Sequence, residues 1–134
     1  MGNGRKLKRG DLLYPELSYQ IIGVLFEVYN ELGYGYQEKY YQKAVSNRFK
    51  EINIPFKEQV PIRITFQENK IGTYFLDFTV EGKIVLEIKK EDTFLKTNIE
   101  QLCAYLKTTG LKLGILANFT KKGLRFKRII NLHS

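Results

Sequence analysis

The sequence is short of the residue types that define several protein classes. Its 134 residues contain one cysteine and one histidine, so an internal disulfide framework and a zinc site built from several cysteines are both excluded. No apolar run approaches the roughly 18 residues of a membrane-spanning helix, and no apolar stretch of a secretory signal follows the basic N-terminus. The histidine, His133, lies next to the last residue, and we expect no catalytic role for it. These absences indicate one globular domain, for which we expect a cytoplasmic location.

The positive charge of the chain is concentrated in two segments. The formal net charge is +8, from 22 basic and 14 acidic residues. Residues 1–10 and 121–128 contain nine of the basic residues and no acidic one. We interpret residues 1–10 as a flexible basic leader and residues 11–134 as the domain. If the two segments meet in space, they could bind the phosphates of a nucleic acid; a solubilising tail and an exposed strand end are the alternative. The predicted phosphate-binding residues are Arg5, Lys6, Lys8, Arg9, Lys121, Lys122, Arg125, Lys127 and Arg128.

Hydrophobic periodicity divides the domain into helices followed by strands. Apolar residues recur at helical spacing in two stretches that are separated by a glycine-containing turn. After Pro55 the pattern changes to the alternation of a strand that is buried on one face, at residues 60–66. The order of helix, helix, three strands, helix and two strands predicts an α/β or mixed α+β domain with helices packed on a central sheet. The predicted helices are 14–32, 37–52 and 97–108, and the later strands are 71–80, 83–90, 112–117 and 124–130.

Three charged residues stand inside the otherwise apolar strands of the predicted hairpin. They are Asp77, Glu87 and Lys89, and buried charges of this kind are costly unless they are paired or bound to a metal. If residues 81–83 form the hairpin loop, Asp77 lies opposite Glu87 and both carboxylates project from one face. Lys89 is two residues beyond Glu87 and shares that face. A loop of two residues would instead place the two acids on opposite faces.

Two carboxylates that face each other repel unless a cation lies between them. A hard divalent ion with oxygen ligands, Mg²⁺ or Mn²⁺, would remove this repulsion, and the backbone carbonyl of Ile88 could supply a further ligand. Lys89 is expected to stay a cation beside two anions, and therefore to stabilise charge that develops on a phosphoryl group. A surface salt bridge on an edge hairpin is the alternative interpretation.

Two pairs of helical residues are candidates to extend this site. Glu38 and Tyr41 share one face of the second helix, and Gln101 and Tyr105 share one face of the third. The alternatives are an acid that favours the N-terminus of its helix for Glu38 and simple core packing for Tyr105. Cys103 lies between the members of the second pair, and we expect it to be a small buried hydrophobic residue.

Several of these segments together resemble the GxxExxY protein family. Residues 35–41 read Gly-Tyr-Gln-Glu-Lys-Tyr-Tyr and match its signature, residues 87–89 read Glu-Ile-Lys, and residues 101–106 read Gln-Leu-Cys-Ala-Tyr-Leu. The resemblance extends from about Leu13 to Arg128. That family is grouped with the PD-(D/E)XK nuclease superfamily, so the resemblance implies a restriction-endonuclease-like αβββαβ core with a mixed central sheet flanked by helices.

The resemblance implies a role for each charged residue of the hairpin. It assigns Asp77 and Glu87 as metal ligands and Lys89 as the catalytic lysine. Glu38 is similar to the helix glutamate that completes the shell of the metal or of the attacking water in related nucleases.

The third helix is similar to the part of the family that orients the substrate or the active-site lysine. The resemblance assigns this role to Gln101 and Tyr105. Two positions depart from the pattern. Leu76 stands where the superfamily name has proline, and Asn98 stands where relatives often carry histidine.

Together these features predict a metal-dependent phosphodiester hydrolase that acts on nucleic acid, with DNA favoured over RNA. The two basic segments would hold flanking phosphates without reading the base sequence. Phe94 or Tyr36 could stack on a base at the rim of the site. The alternative function is a catalytically inactive module on the same scaffold that binds nucleic acid or a protein. A homodimer is left open.

Overall fold

Two helices precede a five-stranded sheet in the computed structural model, which describes residues 13–131. The predicted order of elements is confirmed. The basic leader and His133 lie outside the described residues. The elements are α1 (Pro15–Leu32), α2 (Glu38–Glu51), β1 (Phe56–Phe66), β2 (Asn69–Val80), β3 (Ile84–Lys89), α3 (Lys96–Thr109), β4 (Leu113–Thr120) and β5 (Gly123–Ile130).

The strands follow one another across the sheet in the order β1-β2-β3-β4-β5. β3 and β4 are parallel, and the other neighbouring pairs are antiparallel. A parallel pair needs a crossover connection, which α3 supplies. The fold is therefore an α/β domain with a mixed central sheet flanked by helices, as predicted. None of the helices in residues 13–131 is long and apolar enough to cross a membrane.

The sheet has an apolar core on each of its two faces. Helices α1 and α2 cover one face, and α3 covers the other, because each helix presents its apolar stripe to alternate residues of the strands. Gly114 of β4 allows α3 to approach closely, since a Cβ atom at this position would lie 3.0 Å from the side chain of Leu102. The α1/α2 core includes Ile21, Leu25, Phe49, Phe78, Leu86 and Ile115. The α3 core includes Ile62, Leu76, Val85, Leu102, Leu106 and Leu116.

Strand β2 changes face at Asp77. In a regular strand Leu76 and Phe78 would point to the same side, yet Leu76 belongs to the α3 core and Phe78 to the α1/α2 core. The neighbouring strand is irregular at the same level, where Gln59 has a left-handed φ of 49°. This shared irregularity sets the direction of the side chains around Asp77.

The tip of the β1–β2 hairpin projects beyond both cores. The alternation at residues 60–66 predicts one buried face, and that prediction is wrong for the second half of the strand. Ile64 is 38% exposed and Phe66 is 62% exposed. The helices cover only the part of the hairpin that is distant from the β1–β2 turn. Within the described residues, no element covers the side chains of Ile64 and Phe66.

Candidate active site

The candidate site lies where β2 and β3 stop pairing directly. Val80 pairs with Ile84, and the pairing continues to Phe78 and Leu86. The hairpin loop therefore consists of residues 81–83, as predicted, and Lys83 N–H closes it by donating to the Val80 carbonyl at 3.0 Å. This register brings the next residues, Asp77 and Glu87, opposite each other.

Beyond this point, hydrogen bonds to the two carboxylates replace the backbone pairing between β2 and β3. The backbone N–H of Asp77 donates to Oε2 of Glu87 at 2.7 Å, and the backbone N–H of Ile88 donates to Oδ2 of Asp77 at 2.7 Å. Each strand thus holds the acid of the other. The reciprocal bonds fix both carboxylates side by side, since charge-assisted hydrogen bonds are among the strongest in proteins.

A tyrosine that the sequence analysis did not select completes the surroundings of Glu87. Tyr74 Oη donates to Oε1 of Glu87 at 2.9 Å, and its ring stacks on Tyr105 with the centroids 4.1 Å apart. Glu87 is only 3% exposed. Regular alternation would place Tyr74 on the opposite face from Asp77, so only the irregularity of β2 brings it to this site.

Burial makes the negative charge of this pair costly. It raises the pKa of the Asp77 carboxyl to about 6, although the Ile88 N–H and the charge of Lys89 act in the other direction. Burial and then the charge of Asp77 raise the pKa of Glu87 to about 7. Burial and the negative charge of Glu87 raise the pKa of Tyr74 as well. A bound cation would oppose all of these effects, because it favours the ionised carboxylates.

Glu38 reaches the same end of β3 from the first turn of α2. Its Oε2 accepts a hydrogen bond of 2.9 Å from the backbone N–H of Lys90, and its charge acts on Asp77. Tyr41, its predicted partner, is fully buried and donates to the Gly33 carbonyl at 2.6 Å. Tyr41 therefore fixes the turn before α2, while Glu38 approaches the acid pair.

Helix α3 brings only one of its two predicted residues to the acid pair. Tyr105 is half-buried against Tyr74, and burial raises its pKa. The side chain of Gln101 is exposed and forms no hydrogen bond within residues 13–131. Cys103 is also exposed, so the prediction of a buried cysteine is wrong. The helix turns only a narrow stripe toward the sheet, and Cys103 lies outside that stripe.

Two residues of the second basic segment lie on the sheet face that carries Glu87 and Lys89. Through β4, Glu87 is aligned with Lys127, and Lys89 is aligned with Arg125. Aligned residues of neighbouring strands project to the same face, and two strand spacings amount to about 10 Å. Both basic side chains are exposed, and Lys127 Nζ lies 5.2 Å from the ring centroid of Phe94.

The other basic residues of this segment are placed differently. Lys121 and Lys122 are exposed in the turn between β4 and β5, where the Lys121 N–H donates to Asp92 at 3.1 Å. Arg128 is half-buried on the opposite face, and its guanidinium donates to the Leu13 carbonyl at 2.7 Å. Arg128 thus connects β5 to the start of α1, away from the acid pair.

The donor atoms at the site suit a hard divalent cation. No group of three or more histidine, cysteine, aspartate or glutamate side chains that could hold a metal occurs in residues 13–131. The acid pair does supply two carboxylates. In a strand the N–H and C=O of one residue point to the same side, so the Ile88 carbonyl faces β2, as does the Ile88 N–H, which donates to Asp77. Because Mg²⁺ is usually held by one or two carboxylates together with waters and substrate phosphates, this set of oxygens fits such an ion.

Comparison with known proteins identifies similar families and folds. Residues 15–129 match the family model of the PD-(D/E)XK nuclease superfamily. No curated protein is significantly similar to the sequence. The crystal structure of SSO0001 has a TM-score of 0.55 and 19% identity, over 88% of this chain and 59% of that one, which shows a shared fold. An alkaline exonuclease from Laribacter hongkongensis has a TM-score of 0.48 and 14% identity, over 64% of this chain and 52% of that one. This chain therefore spans less than two thirds of either protein.

Proposed function

Because this chain belongs to the PD-(D/E)XK nuclease superfamily, we propose that it is a metal-dependent phosphodiester hydrolase that cuts DNA. The observation that carries the proposal is the acid pair, in which Asp77 and Glu87 each accept a backbone hydrogen bond from the opposite strand. We also propose that the chain belongs to the narrower GxxExxY family, on the strength of the signature at residues 35–41.

Asp77, Glu87 and the Ile88 carbonyl would hold the divalent ion, Mg²⁺ or Mn²⁺. When bound, such an ion polarises a phosphate and lowers the pKa of its water. Glu38 would complete the shell of the metal or orient the attacking water. One oxygen of Glu38 is engaged by Lys90, and its second oxygen has no hydrogen-bond partner within residues 13–131, which leaves it available for that role.

Lys89 would stabilise the negative charge that develops on the phosphorus-bound oxygens. It follows Glu87 by two residues on the same face, and its charge acts on both acids. A cation that already stands near the two acids before the substrate binds needs little reorganisation during the reaction.

The two stacked tyrosines would orient Glu87. Tyr74 restrains one oxygen of Glu87 through its hydroxyl, and the ring of Tyr105 restrains Tyr74. Gln101 lies one helical turn before Tyr105 and is exposed, so we propose that it contacts the substrate rather than the acid pair.

Basic side chains would hold the phosphates on either side of the cleaved bond. Arg125 and Lys127 lie on the same sheet face as the acid pair, and Lys121 and Lys122 extend the positive surface at the end of β4. Contacts with phosphates give affinity without sequence selectivity. The basic residues of the leader are proposed to add to the same surface.

The test is a cleavage assay on labelled single-stranded and duplex DNA and RNA, in Mg²⁺, in Mn²⁺ and in a chelator. We expect cleavage only with a divalent ion, and a loss of at least about 1,000-fold in the Glu87→Gln variant. The exposed Glu100 of α3 offers a matched control, and Glu100→Gln should cut normally. Full activity of Glu87→Gln, or no cleavage of any substrate with either ion, would overturn the proposal.

One observation favours the alternative of a binding module without catalysis. In residues 13–131 no group of three histidine, cysteine, aspartate or glutamate side chains is placed to hold a metal, so Glu38 can join Asp77 and Glu87 only through a shift of its side chain or a bridging water. Thermal melting separates the two functions, because an ion that binds the folded protein raises the melting temperature. No shift with millimolar Mg²⁺ or Mn²⁺ would favour the binding module.

A further inference from the structure

Three exposed tyrosines form a cluster next to the acid pair, and the proposed catalytic steps do not use them. Tyr34, Tyr36 and Tyr40 are 38%, 47% and 49% exposed, and we call this group the tyrosine platform. They occupy the glycine-containing turn before α2 and its first turn. Single exposed aromatic residues are ordinary, but several gathered on one surface often mark a binding site, so the platform requires a separate explanation.

Two rings of the platform, those of Tyr36 and Tyr40, hold each other in place. Tyr36 packs edge-on against Tyr40, with ring centroids 6.3 Å apart, and against the buried Tyr41 at 6.1 Å. The backbone N–H of Tyr36 also donates to the Tyr41 hydroxyl at 3.3 Å. Because Tyr41 is fully buried, the platform rests on a rigid base and little ordering is needed when a ligand binds.

Two lysines give the platform a positive charge. Lys39 Nζ lies 5.2 Å from the ring centroid of Tyr40, and Lys90 Nζ lies 5.3 Å from that of Tyr34. These are cation–π distances. Exposed aromatic rings beside lysines are the combination with which proteins bind unpaired nucleic acid, since the bases stack on the rings and the phosphates contact the ammonium groups.

The platform is connected to the acid pair through Lys90. This residue directly follows Lys89; its backbone N–H binds Glu38, and its Nζ donates to the Gly35 carbonyl at 3.3 Å. A strand that lies across the platform would thus reach the acid pair within a few nucleotides. A base in a duplex is already stacked between its neighbours and cannot lie flat on an exposed tyrosine.

We propose that the tyrosine platform binds the bases of an unpaired nucleic-acid strand and makes single-stranded or frayed ends the preferred substrate of the site. This inference rests on the proposed function. The stacking contact depends on the ring and not on the hydroxyl of each tyrosine, because every base offers a π-face and none of these hydroxyls is needed to recognise it.

The test measures binding of fluorescein-labelled oligo(dT) and of a duplex of equal length, in a chelator and at one fixed salt concentration. Tyr36→Ala should weaken binding of the single strand by roughly 5- to 100-fold, and the duplex by less than about twofold. Tyr36→Phe should bind as the unaltered protein does. Tyr19, 80% exposed on α1, is the matched control, and Tyr19→Ala should change neither affinity. If Tyr36→Ala lowers the melting temperature, Tyr36→Leu replaces it, since leucine keeps the packing on Tyr41 without an aromatic face.

Because a chelator stops metal-dependent cleavage, this assay separates the platform from the proposed function. Selective loss of single-strand binding supports the platform even if the protein never cuts DNA. Unchanged binding by Tyr36→Ala, or equal weakening of single strand and duplex, overturns it even if the protein is an active nuclease.

Discussion

The two ends of the β2–β3 hairpin differ in what holds the strands together. At the closed end, Phe78 to Val80 pair directly with Ile84 to Leu86, and most of these side chains are buried and apolar. At the open end, carboxylates replace the direct pairing, and a buried charge and a tyrosine hydroxyl take the place of apolar packing. The same pair of strands thus provides stability at one end and chemistry at the other. The backbone irregularity at Asp77 marks the boundary between the two ends.

Of the changes that compare the two ends, removal of the Lys89 ammonium should have the largest effect. It should lower the cleavage rate, which depends on the open end, and leave the closed end unaltered. Lys89→Ala should lower the cleavage rate by about 1,000-fold, which corresponds to about 4 kcal/mol in the activation barrier. Binding of DNA in a chelator should change little, because most of the proposed phosphate contacts come from the basic residues of β5 and of the turn before it. Lys107 of α3 is exposed and provides the control Lys107→Ala. Normal turnover by Lys89→Ala would remove this residue from the mechanism.

Truncation at the closed end should lower stability without altering the site. Leu86 is fully buried in the α1/α2 core, so Leu86→Ala should reduce the free energy of unfolding by roughly 3 to 4 kcal/mol. Ile71, at the exposed hairpin tip and 66% exposed, is the control, and Ile71→Ala should cost less than about 0.5 kcal/mol. Urea denaturation measures both values. A specific loss of cleavage in folded Leu86→Ala would contradict the separation of the two ends.

The metal-free protein should lose stability as the pH rises through the range in which the acid pair ionises. Asp77 and Glu87 have pKa values of about 6 and 7 in the folded state, above the ordinary values near 4 of the unfolded chain. The folded state therefore binds protons more tightly, and the free energy of unfolding should fall by several kcal/mol between about pH 4 and pH 7.

The measurement compares urea denaturation of the unaltered protein and of Glu87→Gln across this pH range in a chelator. The difference between the two profiles isolates Glu87 and its coupling to Asp77 from the other titrating groups. Added Mn²⁺ should restore stability at high pH in the unaltered protein. If the difference in the free energy of unfolding is constant, or rises with pH, the two acids do not repel each other in the folded protein and the assignment is contradicted.

Much of the fold, and the pairing of the two acids, could be predicted from the sequence. Helical and alternating periodicities are local, and the three-residue loop determines which residues of β2 and β3 are opposite. Exposure is not local. Phe66 has the pattern of a buried strand residue and is exposed because no helix reaches the hairpin tip, and Cys103 is exposed because α3 buries a narrow stripe.

Tyr74 could not be predicted for a different reason. Regular alternation assigns it to the face opposite Asp77, and only the change of face within β2 brings its hydroxyl to Glu87. An irregularity of this kind depends on how β1 and β2 bend together, as the left-handed Gln59 shows. No residue type in β2 indicates this irregularity, since neither glycine nor proline lies next to Asp77.

Removal of the Tyr74 hydroxyl, which joins the apolar core to the open end, should have the smallest effect on cleavage. Tyr74→Phe keeps the stacking on Tyr105 and removes one hydrogen bond to Glu87. Cleavage should fall by about 10-fold, or about 1.4 kcal/mol, because Glu87 loses one restraint but keeps the bond from the Asp77 backbone. Tyr105→Phe is the control for loss of a nearby hydroxyl and should cut almost normally if that residue acts only through its ring. An equal loss in both variants would mean that the Tyr74 hydroxyl does not act through Glu87.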